Sequence, residues 1–194
     1  MEIKVLENSA LLYKYFAESF YYPDENQVAQ IQDLSLNIDE SNRILFEEGI
    51  PDLQIEYSRL FVGPFKVAAP PYGSVYLEDG NKIYGDSTMD VISVYEGESL
   101  QVDLKEPPDH IAIELEFISY LIYKQIESYG EGNLELASSY FNKQLHFLNR
   151  HLAKWVDSFC DKVESESKCN FYKKLAKAVK NKVYNDLINV YSIN

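Results

Sequence analysis

Cysteine and tryptophan are scarce in this sequence, and no segment is apolar enough to suggest a membrane span. The 194 residues contain two cysteines and one tryptophan. Cys160 and Cys169 stand in neither a metal-ligand nor a thiol-redox spacing, which favours a reducing compartment. The first residues do not resemble a secretory signal, because Glu2 is acidic and Lys14 interrupts the first apolar segment. We therefore expect a cytoplasmic protein without stable membrane insertion.

Sequence motifs for catalysis are also lacking. The chain has no Walker A pattern, no dinucleotide-binding fingerprint and no Gly-x-Ser-x-Gly elbow. Neither cysteine has a histidine close by in the sequence that would activate its thiol. These observations do not support nucleophilic catalysis, and they do not exclude it.

Positive charge is in short supply over the first two thirds of the chain. Residues 1–130 carry 24 acidic and 8 basic side chains, a net charge of −16, whereas residues 131–194 carry 7 acidic and 10 basic ones, a net charge of +3. An acidic surface repels phosphate backbones and attracts cationic partners. The charge therefore argues against nucleic acid as a partner and favours a basic one.

Aromatic residues, by contrast, are abundant. Sixteen tyrosines and ten phenylalanines are present. A tyrosine ring packs against apolar groups while its hydroxyl group stays solvated or hydrogen-bonded, which suits a half-exposed binding surface. The composition thus indicates a protein that binds through tyrosines.

Apolar residues recur at helical spacing along most of the chain, as in Ile111, Leu115, Ile118 and Ile122, and no segment alternates with a period of two. The pattern predicts an all-α fold, a single globular bundle of roughly eight to ten helices. The predicted helices cover residues 4–22, 24–34, 39–48, 51–62, 87–97, 111–129, 133–163 and 170–191. We expect one compact domain built from an N-terminal half (1–98), a linker or hinge (99–107) and a C-terminal half (108–194).

An aromatic, proline-containing loop follows the fourth predicted helix and spans residues 63–80. Such an apolar loop needs a neighbour to cover it. Pro70 and Pro71 stiffen it, which lowers the entropy lost on binding. Tyr72 and Tyr76 are candidates for binding because full burial is awkward in a loop of this kind. The helix before the loop contributes Tyr57, Leu60 and Phe61, for which packing in the core is the competing interpretation.

Charged residues cluster at the start of the long sixth helix, at Glu106, Asp109, His110 and Glu114. Pro107 and Pro108 precede the first turn, where backbone N–H groups are unpaired. Two interpretations remain open: Asp109 caps the helix while His110 donates a hydrogen bond nearby, or both residues bind a ligand. His110 and Glu114 also have the i, i+4 spacing of metal ligands. We expect the aromatic loop to lie against this helix start.

Taken together, several short segments resemble the TorD/DmsD family of molybdoenzyme-specific chaperones, the redox enzyme maturation proteins, and are most similar to its DmsD branch. The segments are residues 57–64, 70–76, 85–88, 106–110 and 151–159. They occur in the family's order and spacing over most of the chain. Tyr57, Tyr72 and Tyr76 stand where DmsD-like proteins often have tryptophan, and Pro108 replaces a more polar residue.

The resemblance implies a TorD-like helical fold and a non-catalytic role. It implies binding of the twin-arginine leader of an apo-molybdoenzyme of the dimethyl sulfoxide or trimethylamine N-oxide reductase type, with help in cofactor insertion and export timing. A monomer or a domain-swapped dimer is expected, and an interaction with guanine nucleotide or molybdopterin rests on family analogy alone; no metal is expected. The peptide-binding candidates are Tyr57, Leu60, Phe61, Pro71, Tyr72, Ser74, Tyr76, Glu106, Asp109 and His110. The competing hypothesis is a helical metal-dependent hydrolase using His110, Glu114 and Glu106.

Overall fold

Nine α-helices and no strand occur in the residues that the computed structural model describes, which are 3–63, 67–80, 83–101 and 106–191. The helices are α1 (Ile3–Glu18), α2 (Glu25–Leu36), α3 (Ile50–Tyr57), α4 (Gly73–Leu77), α5 (Asp86–Gly97), α6 (Ile111–Gly130), α7 (Leu134–Arg150), α8 (Val156–Glu166) and α9 (Asn170–Tyr191). The predicted all-α fold of eight to ten helices in a single domain is confirmed.

The centre of the bundle is α6, which packs against both α1 and α7. Phe16 on α1 and Leu115, Ile118 and Leu121 on α6 are buried at helical spacing. Each such side chain stabilises the fold by about 1.5–3 kcal/mol through removal from water. Because α1 comes from the first half of the chain and α6 from the second, the two halves share one core.

The helix predicted over residues 39–48 is wrong. The structure has only a short 3-10 turn, Glu40–Asn42, followed by extended chain. The Tyr15 hydroxyl group donates to Ile44 O at 3.0 Å and accepts from Ile44 N at 3.2 Å, which takes both groups away from helical pairing. Phe46 then stacks on Phe171 at 4.4 Å between ring centroids. Contacts with distant helices therefore override the local helical pattern.

The helix predicted over residues 133–163 is interrupted. α7 ends at Arg150, a 3-10 turn covers Leu152–Lys154, and α8 starts at Val156. His151 has φ −120° and ψ −84°, outside the helical region. The break directs the buried indole of Trp155 toward α4 and α6, where it is covered on both sides. No glycine or proline marks the break, because tertiary packing produces it.

The predicted aromatic loop contains more regular structure than its prolines suggest. α3 continues into a π-helical turn, Ser58–Val62, which closes with a hydrogen bond of 2.6 Å from Gly63 N to Ser58 O. The five-residue α4 then forms within the loop. Residues 64–66 and 81–82 of this region, and residues 102–105 of the predicted linker, lie outside the described residues.

Candidate functional site

The aromatic loop and the start of α6 meet in a short antiparallel bridge between Tyr72 and His110. Gly73 N donates to Asp109 O at 2.9 Å, and Ile111 N donates to Pro71 O at 2.8 Å. The predicted contact between the loop and this helix start is therefore confirmed. Two segments almost forty residues apart in sequence are joined by paired backbone hydrogen bonds.

Asp109 and His110 do not have the roles that the helix-capping interpretation gave them. His110 is the N-cap of α6, and its Nδ1 atom accepts from Ala112 N at 3.1 Å. Asp109 instead caps α4, because its Oδ2 atom accepts from Ser74 N at 2.6 Å. Burial lowers the pKa of His110 to about 4, so the ring is neutral at pH 7 and Nδ1 is free to accept. The open interpretation in which Asp109 caps α6 is thus wrong, because Asp109 supports the loop.

Three aromatic side chains form a row, the ring row, which consists of Tyr21, His110 and Tyr72. Tyr21 lies parallel to His110 with 6.2 Å between ring centroids, and Tyr72 meets His110 edge-on at 5.3 Å. The Tyr72 hydroxyl group donates to Glu106 Oε2 at 3.0 Å. Burial, and then the charge of Glu106, raise the pKa of Tyr72, which keeps the hydroxyl group protonated as a donor. The row ends in a half-exposed carboxylate.

Most of the predicted peptide-binding residues lie inside the protein. Tyr72, Tyr76 and Glu106 are half-buried. The buried ones are Tyr57, Leu60, Phe61, Pro71, Ser74, Asp109 and His110. Tyr57, Leu60 and Phe61 therefore lie in the core, as the competing interpretation stated. The Tyr57 hydroxyl group donates to Phe20 O at 3.2 Å. The buried residues hold the loop in place, and the half-buried ones form its accessible surface.

Tyr76 belongs to a second aromatic cluster. Its ring stacks on Trp155 with 5.6 Å between centroids, and Lys162 Nζ lies 5.0 Å from the centroid of the Tyr76 ring. A Cβ atom on Gly73 would come within 3.0 Å of Trp155 Nε1, so only glycine allows this approach without displacing the indole. The two clusters hold α4 at both ends: the ring row through Tyr72, and Trp155 through Gly73 and Tyr76.

Glu114 is turned into the protein rather than toward a metal site. It is 1% exposed and accepts from Trp155 Nε1 at 3.3 Å. Burial raises the pKa of Glu114 well above its ordinary value. Within the described ranges, no group of three His, Cys, Asp or Glu side chains is arranged to hold a metal ion. The hydrolase hypothesis, with His110, Glu114 and Glu106 as ligands, therefore has no ligand set there.

Three residues at the other end of the ring row were missed from the sequence. The Tyr21 hydroxyl group donates to Glu116 Oε2 at 3.0 Å, and Lys14 Nζ donates to Glu116 Oε1 at 2.6 Å. Tyr21 follows the last turn of α1, and Glu116 lies on the second turn of α6. The Tyr21–Glu116 contact spans 95 residues, and the only available signal was the position of Tyr21 at the end of the helix predicted over residues 4–22.

Comparison with known proteins identifies the family of this chain. A family model described as "Nitrate reductase delta subunit" matches residues 23–161. The chaperone protein TorD of Vibrio atlanticus is 33% identical over 138 residues, which cover 70% of this chain and 63% of that protein. The chain belongs to the TorD/DmsD family of chaperones. A Haemophilus influenzae protein described as "Probable Tat proofreading chaperone DmsD" is 28% identical over 135 residues, covering 68% of this chain and 59% of that one.

The fold agrees with the TorD/DmsD assignment. A solved structure described as a redox enzyme maturation protein from Archaeoglobus fulgidus superposes with a TM-score of 0.62 and 31% identity, covering 87% of this chain and 90% of that one. The chain spans 58–63% of the length of three TorD relatives from Vibrio and Aliivibrio species. In the part of the chain that is described, no helix has the length and apolar character needed to cross a membrane.

Replacing Asp109 with alanine is expected to destabilise the docking of α4 on this TorD/DmsD scaffold. The change leaves the buried Ser74 N–H group without its acceptor, which costs about 1–3 kcal/mol. Asp109→Asn keeps an acceptor oxygen and is expected to cost less. Urea unfolding of both variants tests this, with the exposed Asp33→Ala as a control that should change stability by at most about 0.5 kcal/mol. Equal stabilities of Asp109→Ala and wild type would contradict the role of Asp109.

Proposed function

We propose that this chaperone binds the twin-arginine leader of an apo-molybdoenzyme in the cytoplasm, and that it assists cofactor insertion and times export by holding that leader. The observation that carries the proposal is the half-exposed Glu106 carboxylate hydrogen-bonded to the half-exposed Tyr72. A carboxylate beside an aromatic face is the combination that an arginine side chain recognises best.

Glu106 and Tyr72 offer arginine two different interactions. The planar guanidinium group donates two parallel hydrogen bonds to a carboxylate and stacks on an aromatic ring, which a lysine ammonium group cannot do equally well. Tyr72 is held in position by the bridge to His110, so little entropy is lost when a ligand binds. The net charge of −13 adds long-range attraction for a basic peptide.

The apolar part of a leader would need an apolar surface close to the arginine site. Tyr22 is 48% exposed and meets Tyr57 edge-on at 5.6 Å, directly after Tyr21 of the ring row. Ile55 and Val62, on α3 and the π-helical turn, are 68% and 59% exposed. We propose that these side chains contact the apolar residues of the leader, in the manner of an amphipathic helix on a groove.

Calorimetric titration with a twin-arginine leader peptide tests the function. We expect binding by the wild type, and a loss of roughly ten-fold or more when both peptide arginines become glutamine or when Glu106 becomes glutamine, because each change removes a charge-assisted hydrogen-bond pair. The matched control is Glu127→Gln, which changes the net charge equally at an exposed glutamate paired with Lys124. Equal affinity for the arginine and glutamine peptides would refute the proposal.

A further inference from the structure

At the Tyr21 end of the ring row, the carboxylate of Glu116 is already paired with a lysine of the protein, Lys14. Lys14 Nζ lies 2.6 Å from Glu116 Oε1 and 2.7 Å from Glu18 Oε1. Glu18 is almost fully buried and also accepts from Gln27 Nε2 at 2.7 Å. The Lys14 and Glu116 side chains, by contrast, are 39% and 33% exposed. The Lys14 ammonium group is therefore a partly accessible cation that pairs with two carboxylates, of which Glu18 is held in place by burial and by Gln27.

The Lys14 bridge is continuous with the proposed leader site. The Tyr21 hydroxyl group donates to Glu116, the Tyr21 ring lies parallel to His110, and His110 also contacts Tyr72 edge-on. Burial, and then the charge of Glu116, raise the pKa of Tyr21, and Glu106 contributes in the same direction. The two half-exposed carboxylates, Glu106 and Glu116, therefore lie at the two ends of one row of rings and act on the same phenol group.

We propose that Lys14 is an internal competitor for one arginine of the leader, which must displace the Lys14 ammonium group from Glu116 to occupy this end of the ring row. This inference rests on the proposed function. It assigns Glu106 to one arginine and Glu116 to the other. A peptide therefore occupies this end of the ring row only if its cation interacts more favourably with Glu116 than the Lys14 ammonium group does.

The chemistry of the two cations gives this competition its selectivity. An ammonium group is a point charge, whereas guanidinium offers a rigid pair of donors to a carboxylate and a flat face to a ring such as that of Tyr21. Partial burial lowers the pKa of Lys14, but its hydrogen bonds to Glu116 and Glu18 raise it overall, so Lys14 is charged at neutral pH. A peptide lysine therefore brings no advantage over Lys14, and a peptide arginine does.

The first test is a calorimetric titration of wild type, Lys14→Met and Lys180→Met with the twin-arginine leader peptide at about 0.15 M salt, where unpaired surface charges are screened beyond about 8 Å. Methionine keeps most of the side-chain length and removes the charge. Lys180 also bridges two carboxylates, Asp157 and Asp161, but at the α8–α9 contact. We expect roughly five- to ten-fold tighter binding by Lys14→Met and a change of less than about two-fold for Lys180→Met.

A second test locates the arginine. In a double-mutant cycle, Glu116→Gln is combined with peptides in which the first or the second arginine is glutamine. We expect coupling of roughly ten-fold between Glu116 and one arginine, and none with the other. Lys14→Arg, which retains the ion pairs with a stronger competitor, is expected to weaken leader binding a few-fold and serves if Lys14→Met does not fold.

The outcomes separate this inference from the proposed function. If wild type binds the leader and neither Lys14 variant differs from Lys180→Met, or if Glu116 couples to neither arginine, then Lys14 does not compete and the leader site stands without it. If wild type and all variants fail to bind the leader, the proposed function fails and the competition with it.

Discussion

Replacing Trp155 with alanine is expected to lower the melting temperature by roughly 10 °C, because loss of a buried aromatic side chain costs about 3–5 kcal/mol and each kcal/mol shifts the midpoint by about 2–4 °C in a domain of this size. Trp155 is 1% exposed and contacts Gly73, Tyr76 and Phe159. The substitution opens a cavity between α4 and α8. Thermal unfolding followed by circular dichroism measures the shift.

A matched aromatic control is available on α6. Tyr123 is 57% exposed, and Tyr123→Ala should change the free energy of unfolding by about 0.5 kcal/mol or less. Trp155→Phe refills part of the cavity but removes the donor to Glu114, so we expect an intermediate loss. A Trp155→Ala melting temperature within about 2 °C of wild type would show that α4 does not depend on the indole.

Replacing Glu56 with alanine is expected to cost about 3 kcal/mol, because the side chain is a nearly buried charge with four hydrogen bonds. Its two oxygens accept from Arg59 Nε and Nη2, each at 2.8 Å, and Oε1 also accepts from Lys168 N at 2.5 Å and Ser167 Oγ at 3.1 Å. Glu56 thereby links α3 by hydrogen bonds to the segment between α8 and α9. Urea unfolding of Glu56→Ala and Glu56→Gln measures the loss, with the exposed Asp52→Ala as control.

The stability due to Glu56 is also expected to depend on pH. Burial alone would raise the pKa of Glu56, but the hydrogen bonds from Arg59 and from Lys168 N lower it below its ordinary value. A carboxyl group with a lowered pKa stabilises the fold above the unfolded-state pKa of about 4.3, and this contribution is lost as the pH falls through the folded-state pKa. The difference in melting temperature between wild type and Glu56→Gln should therefore be constant near pH 7 and shrink below about pH 4. A difference that grows in acid would contradict the assignment.

The long helices were predictable from the sequence because their stabilising contacts follow from local periodicity. α1, α6 and α9 each carry apolar side chains every three or four residues, and these are the buried ones. The two wrong helix predictions concern segments whose conformation depends on distant partners. Ile44 is held extended by Tyr15 of α1, and the break at His151 accompanies the burial of Trp155 beside Glu114. Neither partner is visible in a local pattern.

The location of the candidate site was predictable, and its exposed surface was not. The spacing of the loop and the helix start indicated that they meet, and the Tyr72–His110 bridge joins them. The residue types alone, however, did not predict that Asp109 is buried, at 1% exposed, and that Glu106 is half-exposed. Lys14, Tyr21 and Glu116 were missed because their contacts join α1 to α6 across about a hundred residues, and only the packed bundle brings them together.

The bridge between Tyr72 and His110 also has a consequence for the order of events during synthesis. The N-terminal half contains Tyr21 and Tyr72, but the ring between them, and both carboxylates that end the row, come from the chain after residue 105. Because closing a loop of this length costs entropy, we expect the row to form late in folding. A nascent chain on the ribosome therefore lacks the proposed leader surface until α6 has emerged and packed against α1.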